Sequence, residues 1–276
     1  MSTVPFTKMH GAGNDFVVID LRAHQLILSA AIFSAIADRH RGIGCDQIIL
    51  IEPPQNGADV RFRFHNADGS EAGACGNGAR CAASKVMVED GANKLSIETR
   101  SAVLSANRSA SGEITIDMGP AHLDWENIPL SKAIKTCNLP PLIDGLAAPI
   151  AVGIGNPHCV FFVDDAEAVE IETHGPVIEH HPLFPERTNV EFVSFLDGNR
   201  MRLRVWERGV GVTLACGSGV CAVVVAAIRR RLIAGRSAEI VADGGILSAS
   251  WREDGNVLLT GPVATSFLGA FETNLL

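Results

Sequence analysis

Short blocks in which apolar and polar positions alternate, or apolar β-branched residues run together, predict strands at 15–20, 47–52, 60–65, 95–99 and 113–118. A second series predicts strands at 148–153, 159–164, 189–196, 200–206, 238–242, 245–251 and 256–260. Helix candidates fall near 29–40, 76–89, 166–172 and 217–232. The short turns Glu89-Asp-Gly91, Ser111-Gly112 and Asp254-Gly-Asn256 predict that much of the strand pairing is antiparallel. Val220 to Ile228 is apolar on every side, as expected of a helix enclosed by a sheet and lying inside a barrel.

The two series repeat each other. At an offset of 142, Gly11-Ala-Gly-Asn14 lands on Gly153-Ile-Gly-Asn156, and Gln47 on Asn189. At 141, Phe62-Arg-Phe-His-Asn66 lands on Leu203-Arg-Val-Trp-Glu207, and Ala74-Cys-Gly-Asn-Gly78 on Ala215-Cys-Gly-Ser-Gly219. A duplicated lobe explains this, with Pro120 to Pro149 as the connection.

Composition narrows the class. With 23 Lys and Arg against 31 Asp and Glu, the net charge of −8 disfavours a nucleic-acid binder, whose affinity comes from cations on phosphates. Hydrophobic residues at 47% supply a substantial core. Val220 to Ile228, the longest apolar run, falls short of the roughly 20 residues a membrane helix needs, so no membrane partner is expected. The N-terminus lacks a charged-then-apolar secretory pattern, and seven irregularly spaced cysteines suit reduced thiols in a cytoplasm. Tyrosine is absent, which removes every mechanism needing a phenol.

Cys75-Gly-Asn-Gly78 and Cys216-Gly-Ser-Gly219 open helices whose first N–H groups have no intrahelical partner and suit an anion. The macrodipole there is expected to lower the thiol pKa from its free value of about 8.5. Glycines let a small carboxylate approach the main chain. Two like acid/base groups on opposite sides of one carbon suit racemisation or epimerisation, because each serves as acid or base according to the isomer that arrives. The five other cysteines, Cys45, Cys81, Cys137, Cys159 and Cys221, read as small buried hydrophobes. The spacings Cys75–Cys81 and Cys216–Cys221 place the second sulfur on another helix face, so no metal is expected.

Asn14, Gln47, Asn66, Asn77, Asn156 and Asn189 are neutral side chains whose placement in both halves favours a shared site for a zwitterionic amino acid. Arg208 suits a carboxylate clamp and Glu207 an ammonium. His158 suits orienting a substrate or polarising a cysteine, and equally a satisfied core histidine. No GxGxxG follows a strand and no GxxxxGK[ST] occurs, so no nucleotide site is indicated, and no lysine signals a pyridoxal Schiff base.

Met9-His-Gly-Ala-Gly-Asn-Asp-Phe16, Gly42-Ile-Gly-Cys-Asp-Gln47, Asn66-Ala-Asp-Gly-Ser-Glu71, Cys75-Gly-Asn-Gly78, Gly155-Asn-Pro-His158, Asn189-Val-Glu191, Glu207-Arg-Gly209 and Ala215-Cys-Gly-Ser-Gly219 stand in an order that resembles the diaminopimelate epimerase family along almost the whole chain. The resemblance implies an α+β fold of two pseudo-symmetric lobes, each a largely antiparallel β-barrel wrapped around a central helix: 1–118 plus the returning stretch 263–276, and 119–262. It implies a cofactor-independent epimerase that interconverts LL- and meso-diaminopimelate in lysine and cell-wall precursor synthesis, and a homodimer. Cys75 and Cys216 become the acid/base pair, supported by His158 and Glu207. Gly76, Asn77, Gly217 and Ser218 would hold the reacting carboxylate, and Asn14, Gln47, Asn66, Asn156, Asn189, Glu207 and Arg208 would contact substrate. Family members often carry Glu where this chain reads Gly211-Val-Thr213, so support of the second cysteine loop is expected to differ. The alternatives are a proline or hydroxyproline racemase, whose first motif normally reads Cys-Gly-His-Gly, and a non-catalytic thiol protein.

Overall fold

The computed structural model describes residues 3–23, 26–73 and 75–272. Ala74, which opens the first copy of the cysteine motif, and residues 273–276 of the expected C-terminal return lie outside the described residues. The chain divides into two compact units, Met1–Ile116 with Gly261–Leu276, and Asp117–Thr260. The architecture is α+β and rich in sheet.

In unit 1 the order is β1 (Thr3–Gly11), β2 (Asn14–Asp20), α1 (Ala30–Ala37), β3 (Gln47–Glu52), β4 (Val60–Asn66), β5 (Glu71–Ala72), α2 (Gly76–Asp90), β6 (Lys94–Glu98), β7 (Val103–Arg108) and β8 (Ile114–Pro120). Unit 2 repeats it with β9 (Ile150–Gly153), β10 (Pro157–Phe162), α3 (Ile171–Glu179), β11 (Asn189–Phe195), β12 (Arg200–Glu207), β13 (Gly211–Thr213), α4 (Gly217–Arg229), β14 (Ser237–Ala242), β15 (Gly245–Trp251) and β16 (Asn256–Gly261). Finally β17 (Ala264–Glu272) pairs antiparallel with β1.

The repeat extends to hydrogen-bond register. Phe16 pairs with Gln47 in the parallel β2–β3 ladder, and His158 with Asn189 in the parallel β10–β11 ladder. Ile48 faces His65 across β3–β4, as Val190 faces Trp206 across β11–β12. The pair Phe64–Ala72 likewise matches Val205–Thr213. The parallel ladders β4–β6 and β12–β14 complete the correspondence.

Continuous apolar strands follow from burial on both faces. Ile48 and Leu50 of β3 join Val17, Ile19, Phe33 and Ile36 in the core under α1. The next residue in the alternation, Ile49, turns to α2, where a Cβ on Gly78 would lie 2.9 Å from its Cδ1 and 3.1 Å from Phe16 Cε1. Glycine is required here by close approach of the helix. In unit 2, Val190 and Phe192 pack beneath α3 with Ile171 and Ile178. Val220 to Ala227 of α4 are all buried, consistent with their all-round apolar pattern.

Four local expectations change. The expected helix at 166–172 is displaced to Ile171–Glu179, because the backbone at 166–167 is held in a loop: Ala166 N donates to Ser194 Oγ and Glu167 N to Asp165 Oδ1. Glu89-Asp-Gly91 does not join two strands. It ends α2, with Gly91 at φ 66° as a left-handed cap that favours glycine. Third, β1, β5, β7, β13 and β17 form where the pattern predicts no strand; β17 has mostly exposed side chains and pairs on one side with β1, so its apolar positions carry little signal. Ser111-Gly112 and Asp254-Gly-Asn256 do join the antiparallel pairs β7–β8 and β15–β16. The connection also departs from a plain linker, since Ile128, Leu130 and Leu139 are buried against α3. Among the described residues no helix is long and apolar enough to cross a membrane.

Candidate active site

Both sequence-marked cysteines occupy the same local structure. Cys75 is the N-cap of α2 with φ −136° and ψ 117°, and Cys216 the N-cap of α4 with φ −114° and ψ 114°. In the first turn of α4 the Gly219 N–H hydrogen-bonds to the Cys216 sulfur, which favours the thiolate against burial. The first-turn N–H groups belong to the residues expected to hold a carboxylate, Gly76 and Asn77 in one unit and Gly217 and Ser218 in the other.

The unit 1 surroundings are neutral amides held by ionic groups. Cys75 Sγ donates to Asn14 Oδ1 at 3.7 Å, and Asn77 Nδ2 lies 3.5 Å from the same oxygen. Asn14 is turned this way because its Nδ2 donates to Asp46 Oδ2 at 2.6 Å, and a carboxylate only accepts. Asp46 is in turn paired with Arg39, which also holds Asp15. Burial opposes charge on Asp15, yet hydrogen bonds from Arg39 and Lys8 hold its carboxyl below the usual range. Two-residue reversal at Ala12-Gly13, both with positive φ, places Asn14 opposite Gly11 in the β1–β2 ladder. Gln47 Nε2 donates to Asn66 Oδ1 at 2.9 Å across β3–β4, and Asn66 Nδ2 to Ser70 Oγ. Gln47 Oε1 is buried with no hydrogen-bond partner among the described residues.

The unit 2 surroundings are more buried and set carboxyl groups beside the thiol. Burial pushes the Cys216 thiol well above its ordinary value, aided by the nearby Glu207 carboxyl. This corrects the expectation of a lowered pKa at that helix terminus: desolvation of a thiolate outweighs a macrodipole contribution of about 0.3–1 kcal/mol. Ser218 Oγ lies 3.5 Å from Cys216 Sγ. Glu207 is also raised by burial, although Thr213 Oγ1 and Cys216 hydrogen-bond to it. Thr213 thus supports Glu207 from β13, where the neighbouring Val212 is 41% exposed.

His158 is fully buried, with Nδ1 2.6 Å from Glu191 Oε1 and Nε2 2.8 Å from Asn156 Oδ1. The motif Asn189-Val-Glu191 by itself assigns Glu191 no role. Its signal was available: a carboxyl group interrupting the apolar run Val190–Phe192 at an inward position. Asn189 is committed at both ends of its amide, with Nδ2 donating to Pro157 O and Oδ1 accepting from Arg208 N. Arg208 directs Nη1 to Glu186 O at 3.0 Å. Among the described residues no three His, Cys, Asp or Glu side chains are grouped to hold a metal ion.

Of the remaining cysteines, Cys45, Cys81, Cys159 and Cys221 are buried and Cys137 is half-buried. Burial pushes Cys45 and Cys81 up to about 12.

Solved structures with this fold include a predicted epimerase from Pseudomonas aeruginosa, at a TM-score of 0.70 and 20% identity over 98% of this chain and 100% of that one. A probable proline racemase from Agrobacterium radiobacter matches at a TM-score of 0.69 and 13% identity, over 98% of this chain and 93% of that one. At these identities the architecture is what is shared. Sequence comparison is more specific: the family model described as diaminopimelate epimerase matches residues 6–123 and 150–265. A diaminopimelate epimerase from Rhodospirillum centenum is 54% identical over 272 residues, covering 98% of this chain and 93% of the relative. One from Acidiphilium cryptum is 53% identical over 272 residues, covering 99% and 98%. The chain belongs to the diaminopimelate epimerase family.

Proposed function

We propose that this chain interconverts LL- and meso-diaminopimelate without a cofactor, in lysine and cell-wall precursor synthesis. The observation that carries the reading is a thiol at the same helix-cap position in each of two duplicated units, in a chain 54% identical to a protein named for that reaction.

In the proposed chemistry one cysteine, as thiolate, takes the α-proton and the other, as thiol, delivers a proton to the opposite face, so Cys75 and Cys216 exchange roles with the isomer bound. A resting thiol at Cys216 suits the delivering role. The first-turn N–H groups of α2 and α4, at Gly76, Asn77, Gly217 and Ser218, hold the α-carboxylate and meet the charge that develops on it. Asn14, Gln47, Asn66, Asn156, Asn189, Glu207 and Arg208 are the proposed substrate contacts. The unpaired Gln47 Oε1 supports a ligand donor there, whereas Asn189 and Arg208 reach substrate only by exchanging the bonds they now make.

We also infer a homodimer in the cytoplasm. Seven free cysteines support a reducing compartment, and sedimentation measures the assembly.

The deciding experiment is solvent exchange. Reduced protein in heavy water, without added cofactor, incorporates deuterium at the α-carbon of LL-diaminopimelate. A folded, reduced sample that exchanges nothing rejects the enzyme reading, and exchange into proline instead promotes the racemase alternative.

A further inference from the structure

Where unit 1 packs Phe16 and Ile49 beneath Gly78, unit 2 packs Glu191 against Gly219 and carries His158 at the ladder position that matches Phe16. A Cβ on Gly219 would lie 3.0 Å from Glu191 Oε1. Both side chains of this pair are fully buried. The two nitrogens of His158 each face an oxygen, the Glu191 carboxyl on one side and the Asn156 amide on the other.

The geometry points to Glu191 as a positioning residue of the active site: its carboxyl group shares two protons with His158, so that Nε2 always carries a hydrogen donated to Asn156 Oδ1. Two arrangements satisfy the contacts. Either an imidazolium faces a carboxylate, or an Nε2–H imidazole accepts at Nδ1 from a carboxylic acid. Both hold the same two protons and no net charge. In both, Asn156 keeps its oxygen toward His158 and its N–H donors available to a ligand. This inference rests on the epimerase reading for Asn156 as a substrate contact.

Burial resists any loss of a proton from the pair, since a net negative charge would be left in the interior. The ionisable groups facing it are Cys159 on β10, Glu207 on β12 and Cys216 at the α4 cap. None supplies a cation, and three further acidic groups oppose a second negative charge. Glu207 and Glu191 both raise the Cys216 thiol, Glu207 the more strongly, and a neutral pair limits the share of Glu191.

The test is nitrogen NMR of the full chain, with assigned His158 ring signals, alongside kinetics of Glu191→Gln. In the wild-type chain the Nε2–H signal persists from about pH 6 to pH 9, although an ordinary imidazole loses its charge near about 6.5. In Glu191→Gln a neutral ring is free to carry its hydrogen on either nitrogen, so the ring signals shift and Asn156 is no longer held one way. KM then rises about tenfold, the value of one substrate hydrogen bond, with a smaller change in kcat. A wild-type Nε2 that loses its hydrogen in this range overturns the proposal, as does a folded Gln variant with unchanged ring signals and KM. If the variant does not fold, the wild-type signals decide. A wild-type chain without turnover defeats the epimerase reading separately, because the ring signals are read without substrate.

Discussion

The two units share a ladder register but distribute buried polarity in opposite ways. In unit 1 the strands beneath the cysteine helix are apolar, with Phe16 and Ile49 fully buried, and the helix itself carries a fully buried Arg80. In unit 2 the helix is apolar at the matching Cys221, and the strands carry His158 and Glu191. Duplication thus conserves the backbone while each half solves its own solvation problem. Thiol settings diverge accordingly: Cys75 faces an amide held by an exposed ionic network, and Cys216 is buried beside carboxyl groups.

The sharpest break of this comparison tests whether unlike settings still serve like roles. Cys75→Ala and Cys216→Ala each lower epimerisation by a factor of about a hundred to ten thousand, the usual value of a lost acid/base group. Turnover assays in both directions check this, and full activity in either variant contradicts the two-base scheme.

Next in size, His158→Phe copies unit 1 but strands Glu191, costing about 3–5 kcal/mol in chemical denaturation. The double variant His158→Phe/Glu191→Ile restores the apolar packing of unit 1 and recovers most of that loss. A double variant as unstable as the summed singles shows that the two interiors are not interchangeable.

A smaller effect is steric. Gly78→Ala drives a Cβ against Ile49, Phe16 and Phe64 and destabilises unit 1 by about 1–3 kcal/mol, less the helix propensity gained. Denaturation that leaves Gly78→Ala at or above wild-type stability refutes the close packing.

The smallest effect separates the units by pH. Asp15 has a folded pKa below its unfolded value of about 3.9, so its stabilisation is present above that value and is lost on acidification toward the folded one. Glu191 and Glu207 are raised, so they stabilise the fold below the unfolded value of about 4.3 and oppose it as pH rises toward their folded values. Asp15→Asn should therefore flatten the acid limb of the Tm profile. An unchanged limb in that variant removes Asp15 from the account.

Much of the site was legible because its chemistry is local. Cys75 and Cys216 stand in short glycine motifs whose repetition marks helix caps, and the structure places both there. The matching offsets of Gln47 and Asn189 correspond to matching ladder positions. What could not be read was the partner of each side chain. Asn14 and Asn156 look equivalent in sequence, yet a two-residue reversal puts Asn14 in the ladder opposite Gly11, while Gly153 pairs with Pro157 and leaves Asn156 in the loop. One amide therefore meets a thiol and the other an imidazole.

By itself, the order of residues determined the duplicated rhythm of strands, the two cysteine caps and the family, since these depend on periodicity, glycine spacing and motif order along the chain. Tertiary structure alone decided the ionisation of Cys216, the pairing of His158 with Glu191 and the orientation of Asn14. The physical reason is that a proton's free energy depends on how much water is removed around it and which oxygen stands beside it, and strands distant in the chain supply both.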